Sequence, residues 1–376
     1  MVEWKKLGEI ANITIGEFVH RDKQNPKAKY PVYNGGTTYT GFYEYYNNTG
    51  NKIVISARGY AGFVNRVFDN YWAGNSSYSI DINNSKVLWH YVYYYLKNEQ
   101  YNIMSMQQKG GGLAAISKKQ VQELLIPIPS LSEQSRIVSI LDTFTSSISN
   151  LKQQIEERRK QYEYERDLLL DLEGKEGVEM KKLGEVGVFI RGNGIQKADF
   201  VEEGYSCIHY GQIHARYGFS AKEAISKIEE SLYKKCKKAK TGDVILATTS
   251  EDAEGVAKPF VWLGEEDVAV SGDAFIYHHN QIGKFMGYQF LTRKFMQFKV
   301  KYATGAKVVR ISGDNMAKFE IPLPPLSTQS RIVSILDTFE QSISNLEEQL
   351  AMREKQYEYY RNQLLTFEGE EERGKT

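Results

Sequence analysis

Two segments of the chain carry an apolar stripe that advances by alternating steps of four and three. In the first, Ile137, Leu141, Phe144, Ile148, Leu151 and Ile155 keep this register, and Tyr162 and Leu169 continue it. In the second, Ile332, Leu336, Phe339, Ile343, Leu346 and Leu350 do the same, followed by Tyr357 and Leu364. Such a stripe lies along one side of a helix and suits packing lengthwise against another helix. Ser132 and Ser327 stand where N-caps are expected. The prolines of LLIPIPS (124–130) and FEIPLPP (319–325) keep the preceding chain extended, and Gly174 and Gly369 supply the stops. Roughly 40 helical residues at ~1.5 Å each span about 60 Å, too long for the interior of one small domain. The stripe weakens at Arg158 and Glu165 and at the corresponding Arg353 and Tyr360, which are not apolar.

The two striped segments are copies of each other. Residues 131–174 match 326–369 at 30 of 44 positions without a gap, beginning LSEQSRIVSILDTF and LSTQSRIVSILDTF. A shorter repeat opens each half, VEWKKLGEI at 2–10 and VEMKKLGEV at 178–186; its offset is 176 rather than 195, so the second half is about 19 residues longer ahead of its helix. The chain therefore reads as a tandem duplication, each unit a variable body followed by a near-constant tail. The divisions expected are a first body at 1–130, a helix at 131–174, a second body at 175–325, and a helix with tail at 326–376. Two stripes in one chain pack most simply against each other, and the intervening body makes the second helix return antiparallel. The expected fold class is α+β: two mixed α/β domains separated by two long antiparallel helices, a dumbbell with pseudo-two-fold symmetry. The paired tyrosines of QYEY at 161–164 and 356–359 are open to two readings, packing against the partner helix or a docking surface for two copies of one partner.

The bodies read as strands and turns with some helix. NKIVISARG (51–59) and GDVILATTS (242–250) look like the same strand in two copies, as do WAGNSSYSIDI (72–82) and AVSGDAFIYHH (269–279). Helical patterns follow in KVLWHYVYYYLKNEQYNIMS and KFMGYQFLTRKFMQFKVKY. Both give way to a glycine turn leading to Ile-Ser, GGGLAAIS at 110–117 and GAKVVRIS at 305–312.

Composition adds limits. The 376 residues suffice for two or more domains. No run approaches the ~18–20 apolar residues of a membrane span, and the N-terminus lacks the apolar core of a signal peptide, so a cytoplasmic protein with no membrane association is expected. Two cysteines, Cys207 and Cys236, do not make a disulfide framework or a cysteine-rich metal site. The net charge of +1 hides segregation. Basic residues outnumber acidic ones 14 to 9 in 1–130 and 22 to 19 in 175–325, while acidic residues lead 9 to 6 in 131–174 and 10 to 6 in 326–376. Basic bodies can face a polyanion while acidic helices meet another partner.

The candidate chemistry is recognition. The stretch from Tyr33 through Asn34, Gly35, Gly36, Thr37, Thr38 and Tyr39 offers hydrogen bonds for base edges and backbone amides for phosphates. Arg58, Tyr60 and Lys109 add charge and rings beside flexible backbone. In the second body RGNGIQK, HYGQIHAR and TGAKVVR have similar character and supply Arg191, Asn193, Lys197, His209, Tyr210, Gln212, His214, Arg216, Lys307 and Arg310. These residues form the candidate DNA-binding set. Catalytic motifs are missing: there is no phosphate-binding G-x-x-x-x-G-K-[ST] loop, no strand-linked G-x-G-x-x-G, and no Cys/His spacing for zinc. No catalytic or metal-ligating residue is expected, and the six histidines read as core or surface residues. Glu-x-Lys in VEWKK and VEMKK lacks a well-placed partner acid, which argues against an autonomous nuclease. The rival reading is a non-enzymatic coiled-coil scaffold whose two bodies bind proteins or glycans.

The sequence resembles the specificity (S) subunits of type I restriction-modification systems. The resemblance is carried by IPIPSLSEQSRIVSILD (126–142) and IPLPPLSTQSRIVSILD (321–337), the KKLGE openings at 5–9 and 181–185, KTGDVILA (240–247) and RISGDNMAKFEIPLPPLSTQ (310–329), and it spans the whole chain. It implies two target recognition domains, each reading half of a split site in double-stranded DNA, and an antiparallel helical spacer. The repeated helices would dock two methyltransferase (M) subunits, with Ile137, Leu141, Phe144, Ile148, Leu151, Tyr162, Ile332, Leu336, Phe339, Ile343, Leu346 and Tyr357 setting the packing. It also implies that cofactors lie elsewhere: S-adenosylmethionine in the M subunit, ATP and Mg²⁺ in a possible restriction (R) subunit. The chain lacks an Asn/Asp-Pro-Pro-Tyr methylation motif, in keeping with that division. Its modest charge departs from what phosphate contacts usually want.

Overall fold

The computed structural model describes residues 2–107, 114–305 and 308–367. Lys109, the glycines at 110–112, Lys307 and Gly369 lie outside the described residues. The chain divides into two compact units, one of Met1–Gln153 with Glu347–Thr376, the other of Gln154–Leu346.

Unit 1 runs through β1 (Glu3–Lys6), α1 (Leu7–Ile10), β2 (Ala11–Ile15), β3 (Tyr30–Tyr33), β4 (Gly41–Tyr43), β5 (Lys52–Ser56), β6 (Val64–Val67), β7 (Trp72–Ala73), β8 (Ser77–Ile82), α2 (Trp89–Asn98), α3 (Gln100–Ser105), α4 (Lys118–Gln122) and β9 (Leu125–Ile128), and enters α5 (Leu131–Leu170). A four-stranded antiparallel sheet of order β2-β8-β5-β6 forms its centre, a three-stranded sheet β4-β3-β7 flanks it, and β1 pairs with β9. The run IVIS in β5 is buried throughout, as expected of a strand between two neighbours. Ile53, Ile55 and Ile80 share a core with Tyr91, Tyr94 and Tyr95 of α2, with Ile137 and Leu141 of α5, and with Leu365.

Unit 2 repeats the plan: β10 (Glu179–Lys182), α6 (Leu183–Val186), β11 (Gly187–Arg191), β12 (Phe200–Val201), β13 (Tyr205–Ile208), α7 (Tyr210–Ala215), β14 (Ser220–Ala221), β15 (Ser226–Ile228), α8 (Glu230–Tyr233), β16 (Lys238–Ala239), β17 (Val244–Ala247), β18 (Thr249–Ser250), β19 (Lys258–Trp262), β20 (Val268–Val270), β21 (Ala274–His279), α9 (Gly283–Gln289), α10 (Arg293–Tyr302), β22 (Val309–Arg310), α11 (Gly313–Met316), β23 (Glu320–Leu323) and α12 (Leu326–Leu365). Its main sheet, β11-β21-β17-β19-β14, keeps the order of unit 1 and adds β14; a second sheet runs β12-β15-β13-β20-β16. Ile332 and Leu336 of α12 are buried in its core with Leu170.

Four expectations need correction. The helices begin at Leu131 and Leu326, so Ser132 and Ser327 lie inside the first turn. The first caps are Ser130, whose Oγ accepts the Glu133 amide at 3.2 Å, and Pro325, whose carbonyl accepts the amides of Thr328 and Gln329. At the other end α5 closes at Leu170, four residues before Gly174. WAGNSSYSIDI is two strands in different sheets, because the Gly74 amide turns to the Tyr33 carbonyl (2.8 Å) and Asn34 Oδ1 accepts the Ser76 amide (2.9 Å). AVSGDAFIYHH breaks the same way between β20 and β21. Both helical patterns are likewise two helices each, α2 with α3 and α9 with α10, and Thr292 Oγ1 caps α10 by accepting the Phe295 amide.

The doubled QSRIVSILD acts as a clasp. Gln134 and Gln329 are fully buried. Gln134 Oε1 accepts the Leu88 amide at the start of α2 (2.8 Å), and its Nε2 donates to the Lys86 and Pro129 carbonyls. Gln329 accepts the Ile282 amide at the start of α9 and donates to Pro324 O and Gln281 Oε1. Two turns on, Asp142 accepts from Tyr94 and Arg66, and Asp337 accepts from Tyr288 and Lys284. Gln, Ile, Leu and Asp thus fix one end of each long helix to its own body.

Farther along, the helices pack on each other within each unit. In unit 1 Phe144 stacks on Tyr360 (5.4 Å between centroids), meets Tyr357, and lies under the Arg353 guanidinium, while Lys152 pairs with Glu354 at 2.9 Å. In unit 2 Tyr162 meets Phe339 and donates to Glu340 at 3.1 Å. Ile148, Leu151, Ile343 and Leu346 are half-buried. The charged and aromatic positions that interrupt the stripe are therefore partly used as cation–π and ring contacts.

Candidate nucleic-acid interface

In unit 1 the candidate loops meet at the end of the main sheet. The turn 33–36 and the turn 58–60 interlock: the Tyr60 amide donates to the Gly35 carbonyl (3.0 Å) and Ser56 Oγ donates to the Gly36 carbonyl (2.8 Å). Gly35 and Gly59 have φ of +73° and +74°, and a Cβ on Gly35 would sit 2.6 Å from the Arg58 carbonyl oxygen. Only glycine tolerates both the left-handed backbone and that approach. Thr37, Thr38, Tyr39, Arg58 and Tyr60 are consequently raised to an exposed rim. Arg58 also bridges to Ala115. Tyr33 and Asn34 face the other way: the Tyr33 ring packs on Tyr71, burial raising its hydroxyl pKa, and Asn34 holds the turn before β8.

In unit 2 Arg191 ends β11, its Nε donating to the Gly272 carbonyl (2.9 Å) and its guanidinium 3.8 Å from Asp273. A polar recess of about 330 Å³ joins Arg191, Thr249, Asp273 and Arg310 with Tyr302 and Asn315. A neighbouring recess of about 410 Å³ shares Arg191 and Asp273 and reaches Tyr210. His214 borders this region through Nε2 and the Thr249 carbonyl (3.0 Å). Lys197 and Arg216 are exposed. Asn193, His209 and Gln212 hold the fold: Asn193 Oδ1 accepts the Lys237 amide, buried His209 Nδ1 accepts the Gly211 amide, and Gln212 Nε2 donates to Ser226 Oγ. Burial, with Lys197 nearby, lowers the His209 pKa and keeps its ring a neutral acceptor.

The tyrosine-rich stretch 30–51, whose residues beyond Tyr39 were not singled out as candidates, contributes further exposed rings in unit 1. Phe18, Tyr45 and Tyr46 are exposed, and Tyr43 packs edge-on to Trp72 at 4.9 Å. The tyrosine density of 39–46 was the available cue. The sequence pattern leaves QYEY undivided. The first tyrosine packs in each copy, whereas the second, Tyr164 or Tyr359, is 61% exposed at the same repeat position. Beside Tyr164, a recess of about 300 Å³ is lined by Leu168, Leu170, Thr292 and Phe319. Among the described residues no group of three or more His, Cys, Asp or Glu side chains is arranged to hold a metal ion, and no helix is long and apolar enough to cross a membrane.

The chain is thus a duplicated mixed α/β body, each copy clasped to a near-identical long helix and each carrying a polar loop rim. The chain belongs to the type I restriction modification DNA specificity domain family, matching it twice, over residues 1–158 and 175–352. It is similar to the type I restriction enzyme EcoR124I/EcoR124II specificity subunit of Escherichia coli, with 28% identity over 97% of this chain and 94% of that one. In fold it is similar to the type I restriction-modification S subunit of M. genitalium (TM-score 0.65, 16% identity, 97% of each chain). It is also similar to a chain from a structure of the type I R-M system (TM-score 0.58, 18% identity, 97% of this chain and 96% of that one).

Proposed function

We propose that each body reads one half of a bipartite site in double-stranded DNA and that the chain performs no chemistry of its own. The observation carrying this reading is the contrast between the halves: the clasp residues Gln134, Leu141 and Asp142 recur as Gln329, Leu336 and Asp337, while the rims differ. Identical hardware with divergent loops is what two readers of different words require. Base identity is read by side chains placed in the grooves, and the phosphate contacts that orient them are common to any sequence. The excess of basic residues in both bodies favours a polyanion.

The two 40-residue helices act as an antiparallel spacer between bodies, and their length sets the gap between half-sites, about one helical turn (~34 Å) centre to centre. Two methyltransferase subunits dock on the repeated helices, where Tyr164 and Tyr359 present the same exposed ring twice. Two identical exposed positions suit two copies of one partner. S-adenosylmethionine resides in those subunits, and ATP and Mg²⁺ belong to a restriction subunit where one joins. The test is methylome sequencing of the host with and without this gene. A split adenine motif that disappears with the gene supports the reading; an unchanged methylome removes it. A complex formed with no DNA selectivity would instead favour the interaction scaffold.

A further inference from the structure

Four positions meet at one end of the main sheet in each unit: Ile15, Arg58, Ser76 and Ala115 in unit 1, and Arg191, Thr249, Asp273 and Arg310 in unit 2. Backbone pairing fixes the correspondence. Arg58 bridges Ala115 and Thr249 bridges Arg310, both antiparallel. The Ala57 amide donates to Ser76 O (2.8 Å) as the Thr248 amide does to Asp273 O (3.1 Å). After β2 and β11, Gly16 and Gly192 donate in the same way to Ser77 and Ala274.

None of the four residues is the same in the two units, yet each set carries one net positive charge: a single arginine in unit 1, two arginines with one aspartate in unit 2. Arg191 and Asp273 enter together and face each other at 3.8 Å, which leaves Arg310 as the surplus cation. The surplus arginine also changes strands, standing where Thr249 stands in one case and where Ala115 stands in the other. Among the described residues neither the Arg58 nor the Arg310 side chain has a hydrogen bond or an ion pair, and both are exposed. A charge that is kept while its residue changes strand is kept for its position, not for one side-chain geometry.

We propose that this node seats one DNA phosphate in each unit, through Arg58 in the first and Arg310 in the second. The inference rests on the DNA-reading function above. A bidentate base contact depends on the angle at which the guanidinium arrives and would not survive exchange between strands; a phosphate asks mainly for charge at the right place. What two readers of different half-sites share is the sequence-independent backbone.

The test uses the full chain assembled with its methyltransferase subunits, on a duplex carrying the motif methylated in the host. Binding is measured against salt concentration for wild type, Arg58→Thr, Arg310→Ala, and the transplants Arg58→Thr/Ala115→Arg and Arg310→Ala/Thr249→Arg. Each single variant should lower the slope of log K against log [salt] by about 0.9, uniformly across sequences, and each transplant should restore it. Melting of every variant is recorded, so that a misfolded transplant is replaced by lysine at the same position. An unchanged slope, a loss confined to one base-pair substitution, or a folded transplant that restores nothing overturns the node. If the wild-type complex itself shows no selective binding, the DNA-reading function falls first.

Discussion

Replacing Gln134 by alanine should release the first long helix from its body. The side chain is fully buried and makes three hydrogen bonds: it accepts from Leu88 N at 2.8 Å and donates to Lys86 O at 3.0 Å and Pro129 O at 2.9 Å. The Leu88 amide lies at the start of α2, where no intrahelical acceptor exists. A neutral hydrogen bond is worth about 1 kcal/mol net, and a buried group left dry costs ~1–3 kcal/mol. Lys86 is exposed and its carbonyl can be rewetted, so the total loss is about 3 kcal/mol. In a domain of this size each kcal/mol moves the midpoint by ~2–4 °C, so the transition of unit 1 should fall by roughly 6–12 °C. Two units need not melt together, and hydrogen exchange separates them. Peptides covering 86–98 and 131–142 should lose protection, while 281–289 and 326–337 serve as an internal control. Gln329→Ala should give the mirror result. A midpoint within 1–2 °C of wild type, with exchange at 86–98 unaltered, would refute the clasp.

Glu340→Gln should stabilise unit 2 at neutral pH. Burial raises the Glu340 pKa, Asp337 adds to this, and Lys284 with the Tyr162 hydroxyl opposes it. The folded state therefore binds a proton more tightly than the unfolded one; wild-type stability rises as pH falls from neutral toward the ordinary carboxylate value, and the glutamine variant lacks that slope. Parallel curves of midpoint against pH for the two proteins would contradict it. Lys299, buried with Nζ on the Glu254 and Val256 carbonyls, has its pKa lowered by burial to about 8. Its charged form is penalised in the fold, so this contribution to unit 2 stability grows as pH rises from about 8 toward 10.5. Lys299→Met should abolish that growth in melting curves and open the 251–257 loop to limited proteolysis; unchanged curves and cleavage would count against it. Tyr164→Ala and Tyr359→Ala should each leave the midpoint within about 2 °C yet remove one methyltransferase subunit in sedimentation analysis; retention of both subunits in the double variant would exclude the tyrosines from docking.

The long helices were legible because a seven-residue stripe depends only on local periodicity, and Ile137, Leu141, Ile332 and Leu336 are buried. Their first caps were misplaced because the serine inside LSEQ resembles a cap, whereas the Ser130 hydroxyl and the Pro325 carbonyl, each two residues upstream of the expected serine, take that role. The break in 72–82 depends on β7 pairing with β3, forty residues away, which no local pattern reports. Nothing in the local pattern marks Gln134 as buried; its recurrence as Gln329 is the one cue in the sequence. The arginine node was hidden because its members differ in type between units, and only the cross-strand bridges bring them into register. Among the rim candidates, Asn193 and His209 could not be told from Arg191 and Arg310 by type, since polar residues in glycine-rich turns serve either backbone or ligand.

The central claim is that each body reads one half-site. Exchanging residues 175–325 for the equivalent body of a related chain, leaving both long helices intact, and sequencing the methylome tests it most directly. The account predicts a new motif in which one half changes while the other half and the gap between them stay as they were. A change in both halves, or in neither, would contradict it.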